Sequence, residues 1–300
     1  MGRTRSGPVV VELSGRLGNQ LFQFASGLAI ARAAGADLRF TSRRVAAPDL
    51  LLPRLIGDAY VEATTRELLR AGQLAVRIPP QPVWASIVYH AARAGRRARG
   101  HTPPSASFWH DTGRFRPGVF DLDLPIHVQG HLQSERYFAA YADDVRRAIH
   151  FPRSEASLPT GTPTVAMSFR RGDYNALGWA LPLAYYDDAI ALVHERVGDA
   201  TFVLFGDDTA FLELVAAHIS SRGAVVDGLS LGSDPVEQLH LMSRCDHCVI
   251  ANSSFAWWGA WIGDRDHTDA ARLVVAPAEY AGPDRLPPRW TTLVTGSALL

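Results

Sequence analysis

Hydrophobic positions along this chain fall into two kinds of run. The first is a short block rich in β-branched or aromatic residues: Val9 to Leu13, Leu38 to Phe40, Thr164 to Phe169, Thr201 to Phe205, Ala224 to Val226, His247 to Ile250 and Leu273 to Val275. Blocks of this length and composition read as strands buried on both faces. The second kind is longer and mixes apolar with polar positions: Leu21 to Ala34, Glu62 to Ala71, Leu183 to Arg196, Thr209 to Ser221 and Phe255 to Ile262. These read as helices. Gly35 closes the first of them as a C-terminal cap. Asp234-Pro235-Val236-Glu237 reads as a cap, a proline at the first helical position and an acidic first turn, so another helix begins there.

Strands that alternate with helices predict an α/β protein with doubly wound parallel sheets. The Pro- and Ser-bearing stretch Phe151 to Pro163 divides the pattern. Two α/β domains are expected, 1–155 and 156–300, with a cleft between them. Ligands of such sheets bind at the carboxyl ends of the strands. The stretch from Ala46 to Phe120 is less regular. It holds Pro79, Pro80 and Pro82, then Arg93, Arg96, Arg97 and Arg99. Trp84 to Arg99 reads as a basic amphipathic helix, either solvated on its charged face or in peripheral contact with a membrane or another anionic surface.

Composition narrows the function. Of 300 residues, 47% are hydrophobic and 20% charged, enough for a sizeable core. Thirty basic residues balance thirty acidic ones. A zero net charge argues against a nucleic-acid partner held by phosphate neutralisation. The chain contains no lysine, so all its basic residues are arginine. That excludes Schiff-base chemistry, pyridoxal phosphate attachment and the lysines of phosphate loops and kinases. A bound phosphate must be held by Arg, backbone amides or hydroxyls. The two cysteines, Cys245 and Cys248, are too few for a disulfide scaffold. With His240 and His247 nearby they still match no standard zinc set, and they read as ordinary, partly buried cysteines of a reducing compartment. Met1 to Pro8 carries no targeting signal, and no run reaches the roughly 18 apolar residues of a membrane span. A cytoplasmic location is the expectation.

Three strand-to-helix loops carry side chains suited to a phosphorylated ligand. In Gly15-Arg16-Leu17-Gly18-Asn19-Gln20, the glycines admit close backbone approach and the following helix start offers free amides; the alternative is a plain tight turn. In Ser168-Phe169-Arg170-Arg171-Gly172-Asp173-Tyr174, two guanidinium forks follow a strand and suit phosphate oxygens. Asp173 there either orients an Arg or accepts a proton; the alternative for the whole loop is a surface ion-pair cluster. In Asn252-Ser253-Ser254-Phe255, hydroxyls and helix amides form a second anion site. Phe255, Trp257 and Trp258 either stack a ring or pack in the core. Asp207 and Asp208 follow another strand and either hold guanine N–H groups or cap the next helix.

Taken together these loops resemble the α-1,2-fucosyltransferases of glycosyltransferase family 11. Gly15 to Gln23 resembles that family's G-x-L-G-N-Q-x-F-Q opening. Arg170 to Tyr174 is similar to H-x-R-R-G-D-Y, and Ala251 to Trp261 to A-N-S-[ST]-F-S-W-W-G-A-W. Gly130 to Phe138 is similar to a Gly-aromatic-x-Gln-Ser-Glu-x-Tyr-Phe segment. One position departs: the usual His before the Arg pair is Ser168. The resemblance implies a GT-B-like fold, two Rossmann-like domains facing a cleft, with the acceptor on the first and the nucleotide sugar on the second. It implies GDP-fucose as donor, no further cofactor, and inverting transfer to a glycan acceptor, the 2-hydroxyl of a galactoside. Arg170, Arg171 and Asp173 would be catalytic. Gly18, Asn19, Gln20, Ser168, Asp207, Asp208, Asn252, Ser253, Ser254 and Phe255 would hold the donor. No metal is expected, because arginines stand where a cation would; Asp121-Leu122-Asp123 has metal-clip spacing but reads as a turn. The alternatives are another GDP-sugar or acceptor, or a non-catalytic glycan- or nucleotide-binding protein.

Overall fold

The computed structural model describes residues 7–71, 107–111, 113–264, 272–280, 282 and 284–295. The basic segment at 84–99 lies outside them. The strands are β1 (Val9–Glu12), β2 (Leu38–Thr41), β3 (Ser107–His110), β4 (Ile126–Gln129), β5 (Thr164–Phe169), β6 (Thr201–Gly206), β7 (Ala224–Asp227), β8 (His247–Val249), β9 (Val274–Pro277) and β10 (Thr291–Leu293). The α-helices are α1 (Leu17–Ala34), α2 (Pro53–Ile56), α3 (Thr65–Arg70), α4 (Ala142–Ala148), α5 (Gly172–Leu177), α6 (Leu183–Arg196), α7 (Thr209–Ile219), α8 (Gly228–Leu231), α9 (Pro235–Arg244) and α10 (Ser254–Gly263).

Two parallel sheets result, with orders β2-β1-β4-β3 and β10-β9-β8-β5-β6-β7. The first order inserts β4 between β1 and β3, with β1 and β4 at its centre; the second reverses direction between β5 and β8. The crevice at the strand ends therefore opens at the loops after β1, β4, β5 and β8. This is the α/β, GT-B-like architecture that the sequence resemblance implies.

Among the described residues the predicted elements are present, with informative shifts. The β5 block and α6 match their predicted limits. Helix α1 begins at Leu17, so Gly18, Asn19 and Gln20 form its first turn instead of the loop before it. Gly15, at φ 72°, supplies the left-handed conformation of that loop, and Gly35, at φ 59°, ends the helix as expected. Asp234 caps α9 by accepting from Val236 N at 2.9 Å, as its sequence predicts. Gly172 opens helix α5.

One apolar cluster runs through both halves, and a second lies within the later half. Phe22 of α1 lies 4.5 Å from the ring of Trp257 in α10, and Phe138 stacks on Trp258 at 5.5 Å. Trp257, Trp258 and Trp261 are wholly buried, so they are core residues and not stacking platforms. Truncating one such side chain typically costs roughly 3–5 kcal/mol, which makes α1 against α10 the main bond between the halves. Polar staples add to it. Ser134 Oγ donates to Asp284 O at 2.6 Å, and Arg289 Nη1 to Glu135 Oε2 at 2.7 Å. Elsewhere Arg54 grips Asp234 through two bonds of 2.7 and 3.0 Å. Cys245 and Cys248 are buried free thiols, and burial raises the pKa of each.

Candidate active site

The loop after β5 is built around Asp207. Its Oδ1 accepts the backbone N–H groups of Arg171 at 2.8 Å and Gly172 at 3.2 Å, while Oδ2 pairs with Arg170. Arg170 also donates to Asp173 Oδ1 at 2.5 Å. One guanidinium thus sits between two carboxylates, and its charge is already neutralised. Asp207 is the anchor of the loop, with both oxygens occupied, instead of an open acceptor for guanine. Asp173 is the partner of Arg170 instead of an open base. Asp208 caps α7, accepting from Phe211 N at 3.1 Å.

Arg171 differs from its neighbour. Its guanidinium lies 4.2 Å above the Phe211 ring. Among the described residues no carboxylate pairs with it, and its buried Nε has no partner. Tyr174 turns back to donate to Asn252 O at 3.2 Å, joining the loop after β5 to the loop after β8. Burial pushes the Tyr174 phenol above its usual pKa, and the adjacent Arg170 pulls it the other way.

Asn252 Nδ2 donates to Trp179 O at 2.9 Å, and its Oδ1 is buried without a partner. Ser253 stands at the N-cap of α10 but makes no side-chain capping bond; Arg16 likewise leaves the start of α1 without one. Two helix starts with free amides therefore lie together. Gly18 permits this, because a Cβ there would fall 2.5 Å from Phe255 N. Both starts present positive ends of helix dipoles to the same place. Phe255 is half-buried beside them.

Two predicted donor contacts serve the fold instead. Gln20 is wholly buried; it donates to Gly15 O at 3.0 Å and Asp49 O at 2.7 Å and accepts from Leu51 N and Leu52 N. Its amide is fully used in fastening the 49–52 turn. Ser168 is 6% exposed, and its Oγ accepts the Ala251 N–H at 2.8 Å, tying β5 to the segment after β8. Asn19 remains at the cleft, where its Oδ1 accepts from Gln133 Nε2 at 2.6 Å.

The structure also gives roles within the 130–138 segment, and to Arg285, which none of the quoted motifs contains. Gln133 Oε1 accepts from Arg285 in the loop after β9. Leu132, with φ 47°, is held in a left-handed conformation by Asp111 Oδ2, which accepts its N–H at 2.9 Å. The preceding His131 lies beside Asp111 and Arg285. Burial of its ring and the Arg285 charge outweigh Asp111, so its pKa lies below the usual value. Among the described residues, no group of three or more His, Cys, Asp or Glu is placed to hold a metal ion. No described helix is long and apolar enough to cross a membrane.

Motifs, strand order and loop placement agree with a match across the second half. The sequence profile of glycosyl transferase family 11 covers residues 119–293, more than half of the chain. The chain belongs to glycosyl transferase family 11. Among its relatives, an Escherichia coli alpha-1,2-colitosyltransferase is 27% identical over 291 residues, 91% of this chain and 92% of the relative. The mouse galactoside 2-alpha-L-fucosyltransferase Sec1 is 27% identical over 279 residues, 87% of this chain and 66% of the relative. In fold, this family 11 chain is similar to Arabidopsis thaliana FUT1 solved with GDP. The TM-score is 0.54 at 12% identity, over 95% of this chain and 73% of that one. POFUT1 in complex with GDP-fucose gives a TM-score of 0.50 at 12% identity, over 91% and 98% of the two chains.

Proposed function

We propose that this family 11 protein transfers L-fucose from GDP-fucose to the 2-hydroxyl of a galactoside. The observation that carries the reading is Arg171: a guanidinium without a carboxylate partner among the described residues, at the point where the second sheet reverses. The loop that carries it is joined through Tyr174 to Asn252, next to Ser253 and Ser254, and the starts of α1 and α10 are both uncapped. That assembly suits a diphosphate, and the arginine fork supplies bidentate bonds to it. In this reading residues 156–300 hold the donor and 1–155 the acceptor.

The acceptor oxygen attacks the anomeric carbon from the face opposite the diphosphate. The bond from that carbon to the β-phosphate oxygen breaks, its electrons remain on GDP, and the acceptor proton passes to solvent. Negative charge grows on the departing oxygen, so fixed positive groups aimed there are the largest catalytic contribution. Arg171 and the start of α10 have that role. Arg170, held by Asp173 and Asp207, keeps the loop in place.

A second reading follows from the E. coli relative, whose name specifies colitose. Colitose lacks the 3-hydroxyl of fucose, so the two donors differ by one polar group. Measuring GDP release with GDP-fucose and GDP-colitose, each with and without a β-galactoside, tests both readings. Release that depends on acceptor with GDP-fucose supports the first; release with GDP-colitose alone replaces it by the second. A protein that binds GDP but turns over neither donor would be a binding protein instead.

A further inference from the structure

Arg285 lies outside every motif quoted above. Its backbone carbonyl accepts the Trp257 indole N–H at 2.9 Å, which pins the loop after β9 at this residue. Its guanidinium reaches to the other half of the molecule and donates to Gln133 Oε1, and Gln133 in turn donates to Asn19 in the first turn of α1. The buried Nε of Arg285 has no partner. The neighbouring carboxylates are engaged elsewhere. Asp284 takes Arg136 at 2.7 Å and the Phe115 N–H, while Asp111 accepts the N–H groups of Gly113 and Leu132. Among the described residues no carboxylate pairs with Arg285.

The position is as informative as the pairing. The charge of Arg285 acts on His131, in the loop after β4, and on Tyr174, beyond the loop after β5. It also acts on Tyr280. Arg285 thus stands between the loop after β4 and the loop after β5. A partly buried guanidinium without a counter-charge is costly unless an anion arrives with the ligand. The ligand of the proposed reaction carries a diphosphate, and Arg170 is neutralised by two carboxylates, which leaves Arg171 as one cation against it. Charge balance calls for a second.

Resting on the transferase reading above, we propose that Arg285 is a further catalytic residue that binds the donor diphosphate from the first-sheet side of the cleft. As the bond between the anomeric carbon and oxygen breaks, Arg285 stabilises the charge on the departing GDP and keeps its own protons. It and Arg171 then hold the diphosphate from opposite sides. Gln133 and Asn19 are positioning residues that set the reach of the Arg285 side chain.

The test compares wild type, Arg285→Ala and Arg285→Lys, by calorimetric titration with GDP and with GMP and by steady-state kinetics. Melting curves identify any variant that fails to fold, and Arg285→Lys then carries the comparison. Loss of a charge-assisted contact predicts that Arg285→Ala weakens GDP by about tenfold to a hundredfold. GMP, which lacks the second phosphate, should change much less. Turnover should fall by about 10²–10³, with Lys in between. An unchanged ratio of GDP to GMP affinity overturns the proposal. A raised acceptor KM with GDP affinity intact also overturns it, by assigning Arg285 to an anionic group on the acceptor. Wild type that does not prefer GDP to GMP overturns the transferase reading itself.

Discussion

Gly18 and Ser254 meet so closely that a Cβ on the glycine would fall 2.7 Å from the Ser254 hydroxyl and 2.6 Å from its carbonyl carbon. Glycine inside a helix is normally unfavourable, so its presence in the first turn of α1 follows from this contact. Most of what a methyl group would strike is backbone, which cannot rotate aside. Gly18→Ala should therefore push the two helix starts apart. Overpacking of this kind predicts a loss of roughly 1–3 kcal/mol in denaturant unfolding. GDP affinity should fall with it. An Ala variant as stable as wild type would show that the two starts separate freely.

The two arginines after β5 should respond differently to substitution. Arg171→Ala is expected to lower turnover by about 10²–10³ while the melting temperature stays close to that of wild type. Arg171→Lys should rescue little, because an ammonium lacks the planar fork and stacks less well on Phe211. Near-normal turnover of the Ala variant would remove Arg171 from the chemistry.

Asp207 discriminates between two roles. Its carboxylate takes two backbone N–H groups and Arg170, so it shapes the loop. Asp207→Ala should lower the affinity for GDP and for ADP by the same factor. If Asp207 held the guanine ring, the preference for GDP over ADP would collapse instead. Parallel titrations with the two nucleotides separate these outcomes.

Regular blocks were legible in the sequence because their signal is local. The short, mostly apolar block of β5 and the alternating pattern of α6 each specify their own limits. The start of α1 was not legible: Gly18 and Asn19 are poor helix formers, and packing against α10 overrides that preference. The partners of Gln20 lie in the 49–52 turn, and those of Arg285 lie in the first half of the chain. No spacing rule connects such residues. The short strands β3 and β4 were missed for a related reason. They are four residues each and gain their identity by pairing with one another and with β1. The Arg pair itself was visible, but not that Asp207 would neutralise one of its members.

Acid should weaken the Arg54–Asp234 clasp in a predictable window. The Arg54 hydrogen bonds hold the Asp234 carboxyl below its usual range; burial opposes them, and the N–H groups of Glu237 and Val236 assist. An Asp with a depressed folded pKa adds stability above its unfolded value, about 3.9, and that contribution is lost as pH falls through the lower folded value. Both side chains are more than a third exposed, at 43% and 39%, so the effect is small and screened by salt. Unfolding of wild type and Arg54→Ala should differ modestly at neutral pH, and the gap should close below about pH 4. A gap that stays constant down to pH 2 would mean that the carboxylate charge of Asp234 is not what Arg54 stabilises.

Ser168 stands where the motif this loop resembles has histidine, and its surroundings decide what a histidine would do here. The residue is 6% exposed; its Oγ accepts the Ala251 N–H at 2.8 Å, and its carbonyl accepts the Tyr186 hydroxyl at 3.1 Å. An imidazole is larger than a hydroxymethyl group, and charging it in this buried setting is unfavourable. Ser168→His should therefore strand the Ala251 N–H and strain the end of β5. The expected cost is roughly 1–3 kcal/mol from an unsatisfied buried donor. GDP affinity should not improve, and lowering the pH from 7.5 to about 5.5, where an ordinary imidazole becomes charged, should not raise it. Chemical denaturation together with GDP titration at both pH values makes the comparison. Tighter GDP binding at the lower pH in the His variant would show that the ring reaches the diphosphate, and that Ser168 is a lost ligand contact instead of a tether between strands.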